Sequence, residues 1–416
     1  LVVHHIACDG WSLAPLQRDL ETAYEARVTG LGPWTGDPLP VQYADFSAWQ
    51  RAQVGDRDDA ESLAAREIRH WRARLADLPE RLELPTDRPH PTQASGEGGK
   101  LGFAWGAADL PGFDEAVRAL ETTPAIAGMT GLGLALDGLG AGSDIPLGFA
   151  VAGRDDERLD TLVGCFVNTL VLRLDTDQPT LRRVFGMARA RMVEALDHQD
   201  LPFEMLVDAV SPERTLSHHP VVQVLVAWQN YEDAASRISD VQQEVLDVDT
   251  GSSRMDLVFT ITERREGGRL SALAGEVEYN TDVFDAATVR KIVETWRRVL
   301  VAALAAPDAA PSELPLIDEA TRERVLHGFN RASDGRPGLV TDLWAATVAR
   351  HGSRPALEGA DGVLTYREAD QAGNRLARVL AAHGIGSGDA VALLMHRSVD
   401  LVVAEFAVLK LGAAFV

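Results

Sequence analysis

Cysteine is almost absent from this 416-residue chain: Cys8 and Cys165 are the only two. Two thiols so far apart exclude a disulfide framework and lack the paired spacing of a zinc site, so a reducing, cytoplasmic setting is expected and no metal is. Long apolar runs are also missing. The nearest, residues 125–136, is glycine-interrupted and closed by Asp137, short of the roughly 18–20 residues of a membrane span, so no membrane partner is expected. Basic residues are in deficit, 40 against 62 acidic ones, for a net charge of −22. Nucleic acid is thereby excluded as a general partner, because counterion release needs clustered Lys and Arg. Nothing at the start reads as a signal peptide. Both ends, Leu1-Val2-Val3 and Ala414-Phe415-Val416, fall in apolar strand-like runs, and the chain is expected to be a fragment of a longer polypeptide.

What is present is an ordinary globular balance, 46% hydrophobic and 25% charged, which excludes wholesale disorder. The length predicts two to four structural units. A strand at Leu1–Val3, a polar turn and a helix from about Ser12 to Ala26 open the chain, with Pro15 tolerated in the first helical turn. A helix over 59–78 follows, then a Pro-rich break at 84–91. From Asp144 the pattern alternates: strands at 144–150, 166–174, 221–228, 255–262 and 275–279, and helices at 180–196 and 286–305, the last capped by Asp285. This order predicts one α/β layer domain. Six glycines between Thr122 and Gly142, each costing about 1 kcal/mol relative to Ala within a helix, predict a weakened or reshaped helix there. Residues 306–340, rich in Ala, Pro and Asp, read as a linker. Beyond them a β-α-β-α-β order predicts the first strands of a parallel sheet.

The stretch His4-His5-Ile6-Ala7-Cys8-Asp9-Gly10-Trp11-Ser12 carries the densest chemistry. On a strand, adjacent histidines project to opposite faces, so one enters a cleft while the other packs inward. Asp9 suits the organisation of a tight turn, and Gly10 a backbone closed to bulkier residues. A neutral imidazole can receive a proton from an attacking nucleophile near pH 7. Read alone, a His-x-x-x-Asp string is usually a capped turn of no catalytic role.

This stretch resembles the HHxxxDG signature of the condensation domains of nonribosomal peptide synthetases, and four more segments match that family in order. They are Tyr43–Trp49 (YxDxAxW), Val163–Thr169 (GxFVNT), His198–Glu204 (HQDxPFE) and Arg214–Pro220 (RxxSxxP). Near the other end, Leu364–Ala369 with Asn374–Ala377 resembles the LTYxEL and NRLA opening of amino-acid adenylation domains, and Leu409–Val416 their LKAGxAYVP motif.

The resemblance implies an α/β fold. A chloramphenicol-acetyltransferase-like condensation domain spans 1–305, its N-terminal lobe incomplete and its C-terminal lobe running from about 95–140 onward. The linker 306–340 and the first part of an acyl-adenylate-forming domain, 341–416, follow. It implies peptide-bond formation between carrier-tethered thioesters, with His5, Asp9 and Gly10 as catalytic residues and His4, Trp11 and Asn168 in support. His5 faces the cleft, as base or as the group holding the amine; Asp9 orients the loop. Tyr43, Trp49 and Phe166 are expected in packing, Asp200 as a helix cap, His198 in a local hydrogen-bond network.

No tightly bound cofactor is implied. Phosphopantetheine arms arrive on upstream and downstream carrier domains, and ATP and magnesium belong to the complete adenylation domain, whose remainder is a partner in cis. The arginine that usually pairs with the motif aspartate is expected before Leu1. The run from Ile6 to Leu20 looks more like domains accepting a D-configured donor than an L-configured one. Three rivals remain: an epimerisation domain, a coenzyme A-dependent acyltransferase, and a non-catalytic scaffold between carrier domains.

Overall fold

A computed structural model describes residues 1–33, 36, 38–210, 215–229, 248–330 and 338–416. Arg214 and Pro337 lie outside the described residues. The chain divides into two compact units, Leu1–Arg322 and Glu323–Val416.

In the first unit Leu1 to His4 form no strand; a 3-10 turn at His5–Ala7 and another at Gly10–Ser12 lead into α1 (Leu13–Val28). Pro15 is buried in its first turn, while Leu13, Leu20 and Tyr24 on its apolar side stay exposed. Next come α2 (Tyr43–Val54), α3 (Leu63–Arg74), β1 (Gly98–Gly106), α4 (Phe113–Ala119), α5 (Pro124–Leu136), β2 (Asp144–Val151), β3 (Asn168–Asp175), α6 (Leu181–Asp197), α7 (Phe203–Val210), β4 (Val224–Gln229), β5 (Leu257–Glu266), β6 (Arg269–Asn280) and α8 (Ala286–Ala305).

The six strands form one mixed sheet in the order β1-β6-β5-β4-β2-β3. β5-β4 and β4-β2 pair in parallel; the other neighbours are antiparallel. Period-two alternation is clear in β5, where Leu257, Phe259 and Ile261 are buried and Val258, Thr260 and Thr262 half-buried, as a sheet with one dry face requires. α8 turns Val289, Ile292, Trp296, Val299 and Ala303 inward. Its first turn is bound by Asp87 rather than capped by Asp285: Asp285 N–H and Thr288 Oγ1 donate to the Asp87 carboxylate at 2.7 and 2.8 Å, while Asp285 pairs with Arg88.

The expectation for the 122–142 stretch holds in its second half, where Asp137–Ala141 is a π turn kinked at Gly140 (φ +103°), and is corrected in its first half by α5. It is regular from Pro124 to Leu136 and buried on all sides, the pattern of a helix in the middle of a core. Its glycines let neighbours approach. A Cβ on Gly128 would lie 2.5 Å from the Trp228 ring, on Gly131 2.9 Å from Leu300 and on Gly133 2.6 Å from Leu174. Trp296 Nε1 donates to the Gly128 carbonyl at 2.9 Å. Tight packing of α5 offsets the helix-propensity cost of these residues.

Residues 307–316 pack on this unit: Leu181 and Arg182 N–H donate to Ala309 and Pro307 carbonyls at 2.9 and 2.6 Å, and Leu316 covers Gly138. The short α9 (Glu319–Glu323) spans the division between the units.

The second unit contains α10 (Val340–His351), an antiparallel hairpin of β7 (Pro355–Gly359) and β8 (Gly362–Thr365), α11 (Tyr366–Ala382), β9 (Ala390–Val391), α12 (Val399–Lys410) and β10 (Ala414–Phe415). β9 and β10 pair in parallel, as the β-α-β order predicts. Thr365 and Glu368 form a reciprocal capping box at the start of α11, which satisfies two otherwise free N–H groups. Among the described residues no helix is long and apolar enough to cross a membrane.

Candidate active site

Asp9 is the centre of the HHxxxDG loop. Its side chain is fully buried and faces Arg154, itself only 5% exposed, with Nη2 3.2 Å from Oδ1. Ser12 N–H donates to Oδ1 at 2.9 Å and Phe166 N–H to Oδ2 at 2.9 Å. Ser12 Oγ, also buried, lies 2.8 Å from both Asp9 Oδ1 and the Gly164 carbonyl and accepts from Gly164 N–H at 3.0 Å and Arg154 Nη2 at 2.9 Å. Arg154 Nη1 donates to the Leu159 and Leu162 carbonyls. A buried ion pair repays its desolvation only when its remaining donors and acceptors are met; this carboxylate is met on both oxygens, while Arg154 Nε is buried without a hydrogen-bond partner among the described residues.

Arg154 therefore corrects the expectation that the aspartate's partner precedes Leu1. It follows β2 in a Gly-Arg-Asp string, and the preceding Gly153 has φ +62°, with its Cα so near the Phe166 carbonyl that a Cβ would collide with it. An arginine behind a glycine at a strand end was the available signal.

Under this network sits a small aromatic core. Arg154 Cζ lies 4.2 Å above the Phe166 ring; Tyr43 meets that ring edge-on at 5.1 Å, and Phe46 lies tilted against it at 4.7 Å. The Tyr43 hydroxyl donates to the Cys165 carbonyl at 2.8 Å. Tyr43 and Phe166 thus pack as expected. Trp49 does not: it is 57% exposed, touching only the edge of this core through Phe46.

The two histidines sit on the 3-10 turn, not on a strand, and both are exposed, so the inward-packing role expected of one is not observed. His4 caps the turn, its Nδ1 accepting from Ile6 N–H at 3.1 Å. His5 Nδ1 is 3.8 Å from Cys165 Sγ. Burial, followed by the charges of Asp9 and Glu204, pushes the Cys165 thiol up. Gly10 begins the turn Gly10–Ser12 with negative φ, so the special backbone expected of it is not used. Trp11 is half-buried beside it.

Asn168 stands apart from this group. Its Nδ2 donates to the Gln199 and Leu201 carbonyls at 2.8 and 2.9 Å, and its Oδ1 accepts from Thr169 and Phe203 N–H at 2.9 and 3.0 Å. Both donors and both lone pairs are used, so the amide pins the 199–203 turn and has nothing left for a substrate carbonyl. Asn168, not Asp200, meets the first N–H of α7. His198 joins a local network as expected: Nδ1 is 2.8 Å from Glu67, and the ring stacks on His70 at 3.5 Å. A cavity of about 390 Å³ between α3, β3 and α6 is lined by His70, Arg74, Arg173 and Glu194, but Arg74 and Arg173 are already held by Glu194 and Asp144. No group of three metal-ligating side chains occurs among the described residues.

In the second unit the adenylation-like motifs converge on Asp370. Lys410 Nζ donates to it at 2.6 Å, Trp344 Nε1 at 3.0 Å and Asn374 Nδ2 at 2.8 Å, and Lys410 also donates to Asn374 Oδ1 at 2.8 Å. The cluster joins α10, α11 and α12.

Comparison with known proteins agrees with both sets of motifs. The Condensation domain family matches residues 1–326 and the AMP-binding enzyme family residues 344–416. An isonitrile lipopeptide synthase of Mycobacterium tuberculosis (strain ATCC 25618 / H37Rv) is 43% identical over 100% of this chain and 17% of its own length. A dimodular nonribosomal peptide synthase of Bacillus subtilis (strain 168) is 37% identical over 100% and 18%. The chain thus spans less than a fifth of these relatives. Among solved structures, the X-domain from teicoplanin biosynthesis superposes with a TM-score of 0.70 at 28% identity, over 76% of this chain and 71% of that one. A four-domain nonribosomal peptide synthetase bound to AMP and glycine shares the fold, with a TM-score of 0.80 at 24% identity, over 99% of this chain and 31% of that one. The chain belongs to the condensation-domain family of nonribosomal peptide synthetases and continues into the beginning of an AMP-binding enzyme.

Proposed function

We propose that the first unit forms a peptide bond between two carrier-tethered thioesters, with His5 as the reacting imidazole. The observation that carries this reading is the division of labour in the loop. Asp9, Ser12 and Arg154 spend their hydrogen bonds on holding the loop, while His5 stands exposed at its tip. The amine of an aminoacyl thioester attacks the carbonyl of a peptidyl or aminoacyl thioester; a C–N bond forms, the C–S bond breaks, and the amine proton ends on the departing thiol. An α-amino group with a pKa of about 8 is largely protonated at neutral pH, so the attacking amine must be unprotonated and held in line. His5 stands at the point of attack, Asp9 holds the loop, and Gly10 brings its N–H close; His4 and Trp11 support the turn.

The substrates arrive on phosphopantetheine arms of upstream and downstream carrier domains, and the cofactor is theirs. We assign 1–305 to the condensation domain, 306–340 to the connection and 341–416 to the start of an adenylation domain, whose ATP chemistry needs the rest of that domain.

The test supplies carrier domains loaded with donor and acceptor and follows dipeptidyl product on the acceptor. His5→Ala should reduce product formation at least about 100-fold, within the usual range for a positioned acid or base, with amino-acid loading of the carriers unchanged. An equal loss in His4→Ala with His5→Ala active would refute the assignment. Product formation in both variants would favour the scaffold reading, and α-proton exchange on a single loaded carrier the epimerisation one. Matched D- and L-terminated donors in the same assay test the D-donor expectation.

A further inference from the structure

The residue between Gly164 and Phe166 is gripped more firmly than any side-chain role of its own requires. Asp9 N–H donates to the Gly164 carbonyl at 3.0 Å, Ser12 Oγ accepts from Gly164 N–H at 3.0 Å, and Phe166 N–H donates to Asp9 Oδ2 at 2.9 Å. The carbonyl of Cys165 itself accepts from Tyr43 at 2.8 Å. A Cβ on Gly164 would collide with the Tyr43 ring, so the segment is also fixed sterically. This strap delivers Cys165 Sγ to 3.8 Å from Nδ1 of His5. Cys165 occupies the variable position of the GxFVNT pattern. Burial and the nearby Asp9 charge keep its thiol protonated at neutral pH. An S–H group is a weak donor and S a weak acceptor, and a neutral imidazole accepts on the nitrogen that lacks a proton.

We propose that Cys165 is a positioning residue for His5: its S–H group holds Nδ1, so that the imidazole carries its proton on Nε2 and turns that N–H toward the substrate. The proposal rests on the reading of His5 as the reacting imidazole. It makes His5 a hydrogen-bond donor to the oxygen of the thioester carbonyl as negative charge develops there, with the amine proton passing to the departing sulfur. The imidazole is unchanged by the step.

The test has two arms. In the 15N-labelled chain at pH 7.5, the imidazole nitrogens of His5, assigned by their loss in His5→Ala, should show the Nε2–H tautomer. Cys165→Ala should move both nitrogen signals toward a tautomeric average, and Cys165→Ser, which retains a donor, should restore them. In the carrier-loaded condensation assay Cys165→Ala should lower kcat about tenfold with the acceptor KM within about twofold, as expected for lost orientation, and Cys165→Ser should recover most of that loss. A proton on Nδ1 in the unmodified chain, or nitrogen signals identical in all three proteins, would overturn the thiol contact. Signals that move as expected while neither Cys165→Ala nor His5→Ala slows product formation would overturn the catalytic role of His5 instead.

Discussion

Both units gather their family motifs into a buried or half-buried polar cluster, yet the clusters differ in what they leave over. Around Asp370, Trp344, Asn374 and Lys410 each donate to a single carboxylate that ties three helices together. Around Asp9, the same economy of bonds holds a loop and leaves His5 outside it, exposed and touched through Nδ1 by a thiol. The contrast separates motif residues whose polar atoms are spent inside the fold from one whose ring stays exposed. A motif match alone does not distinguish them; the fate of each polar atom does.

That contrast can be broken experimentally, starting with its largest expected effect. Arg154→Met leaves Asp9 buried without its cation and should destabilise the first unit by about 3–5 kcal/mol, read as a fall in the urea midpoint of that unit's unfolding. A cost no greater than that of Asp370→Ala would show that the two clusters are equivalent. Asp370→Ala removes an acceptor of three donors in a site where Lys410 and Asp370 are about one fifth exposed. It should cost about 2–3 kcal/mol, the scale of hydrogen bonds to a charged group, and only in the transition of the second unit.

Gly128→Ala sharpens the same point for packing. The new methyl meets the Trp228 ring at 2.5 Å, and the overpacking should cost about 1–3 kcal/mol despite the gain in helix propensity. Gly186→Ala, on the exposed side of α6 with nothing within 4 Å, should instead stabilise by up to about 1 kcal/mol. A matching sign for the two glycines would remove close packing as the reason for glycine in α5.

The smallest effect concerns pH. Burial, as the leading cause, holds His70, His218 and His219 below the ordinary histidine value of 6.5. The unfolded chain therefore binds protons that the folded chain refuses. Stability from these groups is complete above about pH 6.5 and is lost as pH falls through their lowered folded values. Urea midpoints measured at pH 7.5 and 5.5 should fall on acidification, and less so in His219→Phe. A midpoint independent of pH would remove the three histidines as its source.

Much of the framework was legible in local pattern. Periodicity placed α6 and α8 to within a residue or two, because each carries an unbroken apolar stripe. β1 was missed: Gly98, Gly99, Gly102 and Gly106 dilute its alternation, although Gly99 is needed where Tyr279 crosses it. The first turn misled in another way. An apolar Leu1-Val2-Val3 run resembles a strand, but strand structure requires a partner to take its N–H and C=O groups, and the described residues provide none.

The sequence by itself determined the chemistry that could be present: a paired histidine, a turn aspartate, and motifs in family order. It also determined most helices and strands, since their signals are local and repeat within a few residues. Which polar groups meet was decided only by the tertiary structure. Arg154 lies 145 positions from Asp9, Asn168 pins α7 across 35 positions, and Cys165 reaches His5 across 160. Such pairings depend on the sheet bringing the end of β2 and the segment before β3 against the motif loop. No period or spacing along the chain encodes that approach, because it is the buried core beneath those strands that sets it.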